Sequence, residues 1–463
     1  MSAAERPLQA SWWSAPLVIA FGALAILLPA LYNAYPLVYS DTGTYLRSAF
    51  TDFVPVDRPY WYGVFISITS LGGHTLWGVV VVQALLCSAL LWRLWRLSGD
   101  GRWWSYLITV MLLAPFTGLG WYAGQLVPDI FSAIGVLAGA LVLLHPAPLV
   151  LRIWWITLTV IACWVHLSNL LIVPLVLGLT WLWSVASGKT PSRARVLAAF
   201  IPLLLAWPGL ALANRIVTGE AHISRYGHVF LMSRMAETGI LHDWLDAHCP
   251  TSPTPLCAYR DSIPTTNKQF MWSERSPLHW QGGPWAVREE YDRIIKASLT
   301  EPRFLVRHVA ASLRSTGTLL GLWRVADELE GQYYRMDYSA PYGSIASLKP
   351  LELPAYLNSA QNTGDGRLGL RFVDLIYAWI LSLASVLTLF LLPSHSVRER
   401  HGAVLIIGLA TMVIGAWVCA SLSTVDSRFM ARTAWLLPWC VAQVLWCARI
   451  NALTIRRDCG GGT

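Results

Sequence analysis

The chain has 463 residues, 55% hydrophobic and only 13% charged, about half the charged share of an ordinary soluble domain. Mean hydropathy is +0.49, and 25 tryptophans with 17 tyrosines supply many amphipathic aromatics. These figures exclude a disordered chain, a collagen-like chain and a simple soluble enzyme. A membrane-crossing helix takes about 20 apolar residues, so the length predicts an α-helical polytopic membrane protein with about ten spans and a sizeable aqueous remainder.

The apolar runs place spans at 15–33, 76–92, 103–118, 130–145, 153–167, 169–185, 197–214, 371–392, 402–421 and 433–450. Residues 60–72 are apolar but short and end in glycine, which predicts an interfacial or re-entrant segment. Pro29, Pro115, Pro174, Pro202 and Pro208 fall within spans, where neighbouring helices can re-satisfy the freed backbone groups. The stretch ahead of the first span carries only Arg6 and no small-residue cleavage site follows, so that span is expected to be a retained anchor.

With the N-terminus inside, the inner segments collect thirteen cations: Arg6, Arg93, Arg96, Arg102, Arg152, Lys189, Arg193, Arg195, Arg398, Arg400, Arg449, Arg456 and Arg457. The short outer loops hold four, Arg47, Arg58, Arg428 and Arg432. The positive-inside rule therefore puts both termini in the cytoplasm. The net charge of +8 calls for no nucleic-acid partner, because this topology and anionic lipid headgroups account for the inner cations.

The expected organisation is an N-terminal membrane module (1–214), an extracytoplasmic domain (215–370), a C-terminal membrane module of three spans (371–450) and a cytoplasmic tail (451–463). In the long loop, SPTP at 252–255, QGGP at 281–284 and NTGDG at 362–366 read as turns. Residues 287–298 and 301–321 read as helices. The second is amphipathic, with Arg303, Arg307 and Arg314 to one side and Phe304, Val309 and Leu313 elsewhere, suiting a membrane-surface helix.

Five cysteines, Cys87, Cys163, Cys419, Cys440 and Cys447, lie in spans, where a small buried hydrophobe is the default, and Cys459 lies in the tail. Cys249 and Cys257 fall in the large loop. In an oxidising compartment they form a disulfide worth about 2–3 kcal/mol; the competing reading is a metal site with His242 and His248, although the spacing fits no standard zinc pattern.

Polar residues at the outer ends of spans are costly and invite a functional reading. The first outer loop, YPLVYSDTGTYLRSAFTDFVPVDRPYWYGVF, holds Asp41 ahead of a helical stretch, Thr42–Phe50, and Arg58-Pro59 ahead of Tyr60, Trp61 and Tyr62. Taken singly, Asp41 reads as a helix cap and Arg58 as an interface anchor. Asp129 likewise reads as a cap at the start of a span, His166 as a satisfied interfacial histidine, and Asp426 with Arg428 as an exposed pair of little energetic value. Together, however, they stand on one side of the membrane at the mouths of different spans, where the headgroup of an amphiphilic substrate would lie.

This order of features resembles the GT-C glycosyltransferases, polytopic enzymes that take sugars from polyprenyl-phosphate carriers, and within them the branch of protein O-mannosyltransferases and lipid A aminoarabinose transferases. The resemblance rests on an acid followed by a tyrosine in the first loop (Asp41, Tyr45), a basic-proline-aromatic run (Arg58-Pro59-Tyr60), and a second acid before the fourth span (Asp129). It rests also on His166, where many relatives have lysine, and on Arg428-Phe429 ahead of a span containing Pro438. It covers about 15–215 and 371–450. The soluble domain departs from the pattern by lying between spans seven and eight rather than after the last.

The resemblance implies inverting, single-displacement transfer of a sugar to a lipid, glycan or protein acceptor on the periplasmic side of a bacterial cytoplasmic (inner) membrane. Asp41 would act as general base or orient the acceptor. Asp129 would be a second acid, and the two would hold a divalent cation such as Mg or Mn if one is used. Arg58, Arg428 and His166 would neutralise the carrier phosphate, with Tyr45 and Tyr60 beside the substrate. The alternatives are a transporter or lipid flippase, which the near absence of charges in the middle thirds of the spans disfavours, and a non-catalytic envelope assembly protein.

Overall fold

The structure is a computed structural model that describes residues 14–98, 101–327, 329–330, 334, 336–363 and 368–447. Arg6, the tail 451–463 with Cys459, Arg449, and the centre of the NTGDG turn lie outside these residues. Among the described residues the secondary structure is helical, and the sole β-type pairing is one isolated bridge between Leu37 and Gln125.

Among the described residues, five helices are long and apolar enough to cross a membrane: Trp77–Leu97, Asn169–Ala186, Arg193–Thr218, Leu370–Leu391 and His395–Leu422. Four shorter apolar helices, Ala15–Ile26, Trp103–Phe116, Pro128–Leu144 and Leu149–Val165, stand among them, and residues 436–447 are helical as well. Large apolar side chains face outward as well as inward: Leu204, Ile216, Trp379 and Phe390 are 71%, 81%, 71% and 76% exposed, an apolar outer surface suited to lipid.

The helix over Phe131–Leu144 fills the bundle centre. Every residue from Phe131 to Leu143 is buried, and it packs against helices 77–98, 149–165, 169–186 and 193–218. A sequence hydrophobic all round, FSAIGVLAGALVLL, has no polar stripe to offer a surface and is buried on all sides. The expected first span breaks into Ser14–Ile26 and Leu28–Tyr32, with Pro29 at the start of the second helix. Residues 60–72 contain a nine-residue helix, Trp61–Thr69, ended by a turn in which Leu71, Gly72 and Gly73 have positive φ.

The long loop divides in a way the expected boundary at 370 does not. Residues 226–304 form their own core, in which Met232, Leu241, Phe270, Leu278, Tyr291 and Phe304 are buried together. The described residues from Leu319 onward belong to the main bundle: Ile345, Tyr356 and Leu368 join its core. Glu352 accepts hydrogen bonds from the Tyr35 hydroxyl (2.7 Å) and the Leu76 amide (2.9 Å). The predicted helices appear as Arg288–Thr300 and Pro302–Leu320. The second is not wholly a surface helix, because Phe304 enters the small core and the helix lies along helix 395–422, although Val309 and Leu313 do face outward. Cys249 and Cys257 are joined in a disulfide, which removes both as metal ligands; His248 pairs instead with Glu301 at 3.1 Å.

Candidate functional site

Backbone pairing brings the first two loops together. The Leu37 amide donates to the Gly124 carbonyl (2.9 Å) and the Leu126 amide to the Leu37 carbonyl (2.9 Å), while the Thr42 hydroxyl donates to the Leu126 carbonyl (3.3 Å). Asp41 and Asp129, 88 positions apart, are thereby held at one end of the bundle. Helix Ser427–Ala434 lies beside them, capped by Asp426, whose carboxylate accepts from the Arg428 amide (3.1 Å). Arg428 and Arg432 are four positions apart, so they share one face of that helix.

Arg428 joins the two carboxylates. Its Nη1 donates to Asp41 Oδ2 (2.8 Å), and its Nε and Nη2 contact Asp129 Oδ2 (2.9 and 2.7 Å). Arg58 Nη1 stands 2.7 Å from Asp41 Oδ1, a charge contact rather than an aligned hydrogen bond. Its Nε and Nη2 donate to Asp57 Oδ2 (3.1 and 2.5 Å). Arg432, fully buried, donates to Asp129 Oδ1 (2.7 Å), His166 Nε2 (2.6 Å) and Ser168 Oγ (3.1 Å). The Tyr39 ring lies 4.1 Å from the Arg428 guanidinium and the Tyr45 ring 5.5 Å from that of Arg58. Burial pushes the Asp41 carboxyl upward, but Arg58 and Arg428 outweigh it and hold the group at about 2.

Asp41, Tyr45, Arg58, His166 and Arg428 line one cavity of about 630 Å³. Leu170, Leu171 and Trp207, from helices 169–186 and 193–218, form an apolar wall. The inserted domain supplies the opposite side through Asn267 and Lys268. The Asn267 amide donates to Ser233 Oγ (2.7 Å) and to the Ser423 carbonyl (3.1 Å), tying that domain to the end of helix 395–422, while its Oδ1 is buried without a hydrogen-bond partner.

Several single-residue expectations are corrected. Asp41 occupies the cap position of Thr42–Phe50 but makes no capping bond, because both oxygens face guanidiniums. Asp129 neither caps a helix nor reaches the cavity: it is fully buried behind Arg428. Asp426 and Arg428 do not pair through their side chains; Asp426 faces Lys268 at 3.3 Å. His166 is no cation for a phosphate. A guanidinium cannot accept a hydrogen bond, so Nε2 carries the lone pair toward Arg432, and Nδ1 is the protonated nitrogen, donating to Ser168 Oγ (3.0 Å). Tyr60 lies outside the cavity, edge-on to Trp61 with centroids 5.9 Å apart.

The donor set does not fit a divalent cation. Asp41, Asp57 and Asp129 are matched one for one by Arg58, Arg428 and Arg432, and the two expected ligands sit on opposite sides of the Arg428 guanidinium. A hard cation needs several free oxygens, and here a guanidinium would have to leave first. Sequence reading missed Arg432, Asp57 and Asn267 as parts of the site; the four-residue spacing of Arg428 and Arg432 was a usable signal, and for Asn267 there was none.

No protein-family model, curated protein or solved structure matches the chain. The site's chemistry therefore stands on its geometry: an ionised carboxylate, 23% exposed, between two arginines at the floor of a largely apolar hollow.

Proposed function

We propose that the protein is a membrane glycosyltransferase that moves a sugar from a polyprenyl-phosphate carrier to a lipid, glycan or protein acceptor on the outer side of a bacterial cytoplasmic membrane. The carrying observation is the convergence of Asp41, Arg58 and Arg428 on a cavity with one wall made by membrane-length helices. Such a wall suits a polyprenyl chain, and paired guanidiniums suit its phosphate. The buried, charge-free helix 131–144 at the bundle centre favours this reading over a transport path. In this proposal the chain crosses the bilayer about ten times, both termini are cytoplasmic, and residues 226–304 cover the site from the periplasm.

The reaction is a single displacement with inversion. An acceptor hydroxyl, hydrogen-bonded to Asp41, attacks the anomeric carbon; the new C–O bond forms as the bond to the carrier phosphate breaks, and the proton passes to the Asp41 carboxylate. Arg58 and Arg428 hold the departing phosphate, where charge develops. A carboxylate held near 2 is a weak base, and the substrate corrects this: once the phosphate engages the guanidiniums, the charges depressing Asp41 are shared and its basicity rises. Asp129 acts as a positioning residue that aims Arg428, and no step runs through a metal.

The test is transfer of radiolabelled sugar from a polyprenyl-phosphate donor to membranes lacking the protein. Asp41→Asn is expected to lose about 10²–10⁴-fold, the usual cost of removing a general base, whereas Asp52→Asn, in an exposed turn of the same loop, keeps full rate. Undiminished transfer by folded Asp41→Asn refutes the assignment.

A further inference from the structure

A second cavity, of about 390 Å³, lies at the other end of the same helices. Helices 169–186 and 395–422 pack together along their length. The first cavity takes His166 and Ser168 just ahead of one and Cys419 near the end of the other; the second takes Ser184 and Ser187 at the end of the first helix and Arg398 and Arg400 at the start of the second. Cys419 lies 21 positions along the helix from Arg398, about 30 Å at 1.5 Å per residue.

Lys189, Arg195, Arg398 and Arg400 all line this hollow, with Glu399 as the one carboxylate among the described lining residues. Glu399 faces His395 at 3.4 Å. Among the described residues Lys189, Arg398 and Arg400 have no ion-pair partner, whereas the cations of the first cavity are matched by aspartates. Arg195 is braced by donating to the Leu144 carbonyl (2.7 Å), which fixes its guanidinium at the cavity. Trp183 contributes to the wall, with its indole nitrogen packed against Gly402. Cations placed only to orient a membrane protein need not share one hollow; these four do, around a partly open volume with an apolar side formed by Leu97, Leu144 and Val404.

We propose that this hollow is a binding site for a phosphate-ester anion, held by Lys189, Arg195, Arg398 and Arg400. Among the described lining residues four cations face one carboxylate, an excess of three positive charges that matches a phosphate, and arginines with one lysine are the side chains that recognise its oxygens. The same chemistry is offered by an anionic lipid headgroup, whose glycerol and first methylenes would lie on the apolar side, and by a soluble phosphate ester. This inference does not depend on the glycosyltransferase reading.

The experiment uses the full chain in nanodiscs of equimolar phosphatidylglycerol and phosphatidylcholine, with retained lipid counted by native mass spectrometry. Wild type is expected to retain phosphatidylglycerol in preference. The triple variant Lys189→Gln/Arg398→Gln/Arg400→Gln changes exposed side chains only and is expected to weaken retention about 100-fold, through the loss of three charge-assisted contacts to the phosphate oxygens. Arg102→Gln/Arg152→Gln/Arg193→Gln, the same charge loss at the same end but outside the cavity, is expected to leave retention unchanged. Calorimetry in phosphatidylcholine-only discs with glycerol 3-phosphate and with inorganic phosphate covers the soluble source: binding abolished by the first triple alone supports the site with a soluble ligand. Equal retention of both lipids without phosphate binding, or equal losses from the two triples, overturns the proposal.

Discussion

Replacing Asp129 by alanine removes the acceptor for three guanidinium nitrogens, Nε and Nη2 of Arg428 and Nη1 of Arg432, all at 2.7–2.9 Å. Arg428 keeps Asp41 as a counter-charge. Arg432 does not: its remaining partners are His166, Ser168 and the Cys419 thiol, all neutral, and the side chain is wholly buried. Breaking a buried pair from one side costs about 3–5 kcal/mol, a large part of the 5–15 kcal/mol that holds a typical domain folded. The measurement is equilibrium unfolding in mixed micelles, followed by tryptophan fluorescence. In a cycle of Asp129→Leu, Arg432→Leu and the double variant, the double, which removes both charges, should be at least about 1 kcal/mol more stable than the sum of those two single losses predicts. A single-variant loss below about 1 kcal/mol, or strict additivity, would show that these groups are solvated and that the network does not hold the site together.

The Asp41 carboxyl is lower in the folded chain, at about 2, than its ordinary value of 3.8; a depressed folded value stabilises above the unfolded one and is lost as pH falls through the folded one. Stability should therefore lose the Asp41 contribution between about pH 4 and pH 2, and Asp41→Asn should flatten that part of a pH-dependent unfolding series. Gly43→Ala should destabilise by about 1–3 kcal/mol, because a Cβ there would stand 2.2 Å from the Ala340 carbonyl oxygen, a backbone atom that cannot swing aside; thermal unfolding checks it. Cys249→Ser/Cys257→Ser should cost about 2–3 kcal/mol for so short a loop, read as faster limited proteolysis within residues 226–304 while the bundle stays intact.

The local physics of this chain is readable in one dimension. Apolar runs gave the membrane-length helices because a span must satisfy its backbone internally whatever its neighbours are; the boundaries of Asn169–Ala186 and Leu370–Leu391 fall within one residue of the expected ones. The Cys249–Cys257 bridge and helices 288–300 and 302–320 were legible for the same reason, since each depends on residues close in sequence. Composition gave no warning that Leu319, Ile345, Tyr356 and Leu368 leave the inserted domain and pack into the bundle, because that follows from Glu352 meeting Tyr35 and Leu76, about 280 to 320 positions away. The site divides in the same way. Candidate charges could be picked from the loops, but which carboxylate faces the cavity and which lies behind an arginine is set by the Leu37–Gln125 bridge and the docking of helix 427–434. Asp41 and Asp129 look alike in sequence, each an acid beside a helix start; only the tertiary structure separates them, because burial and charge pairing depend on what surrounds a side chain in three dimensions.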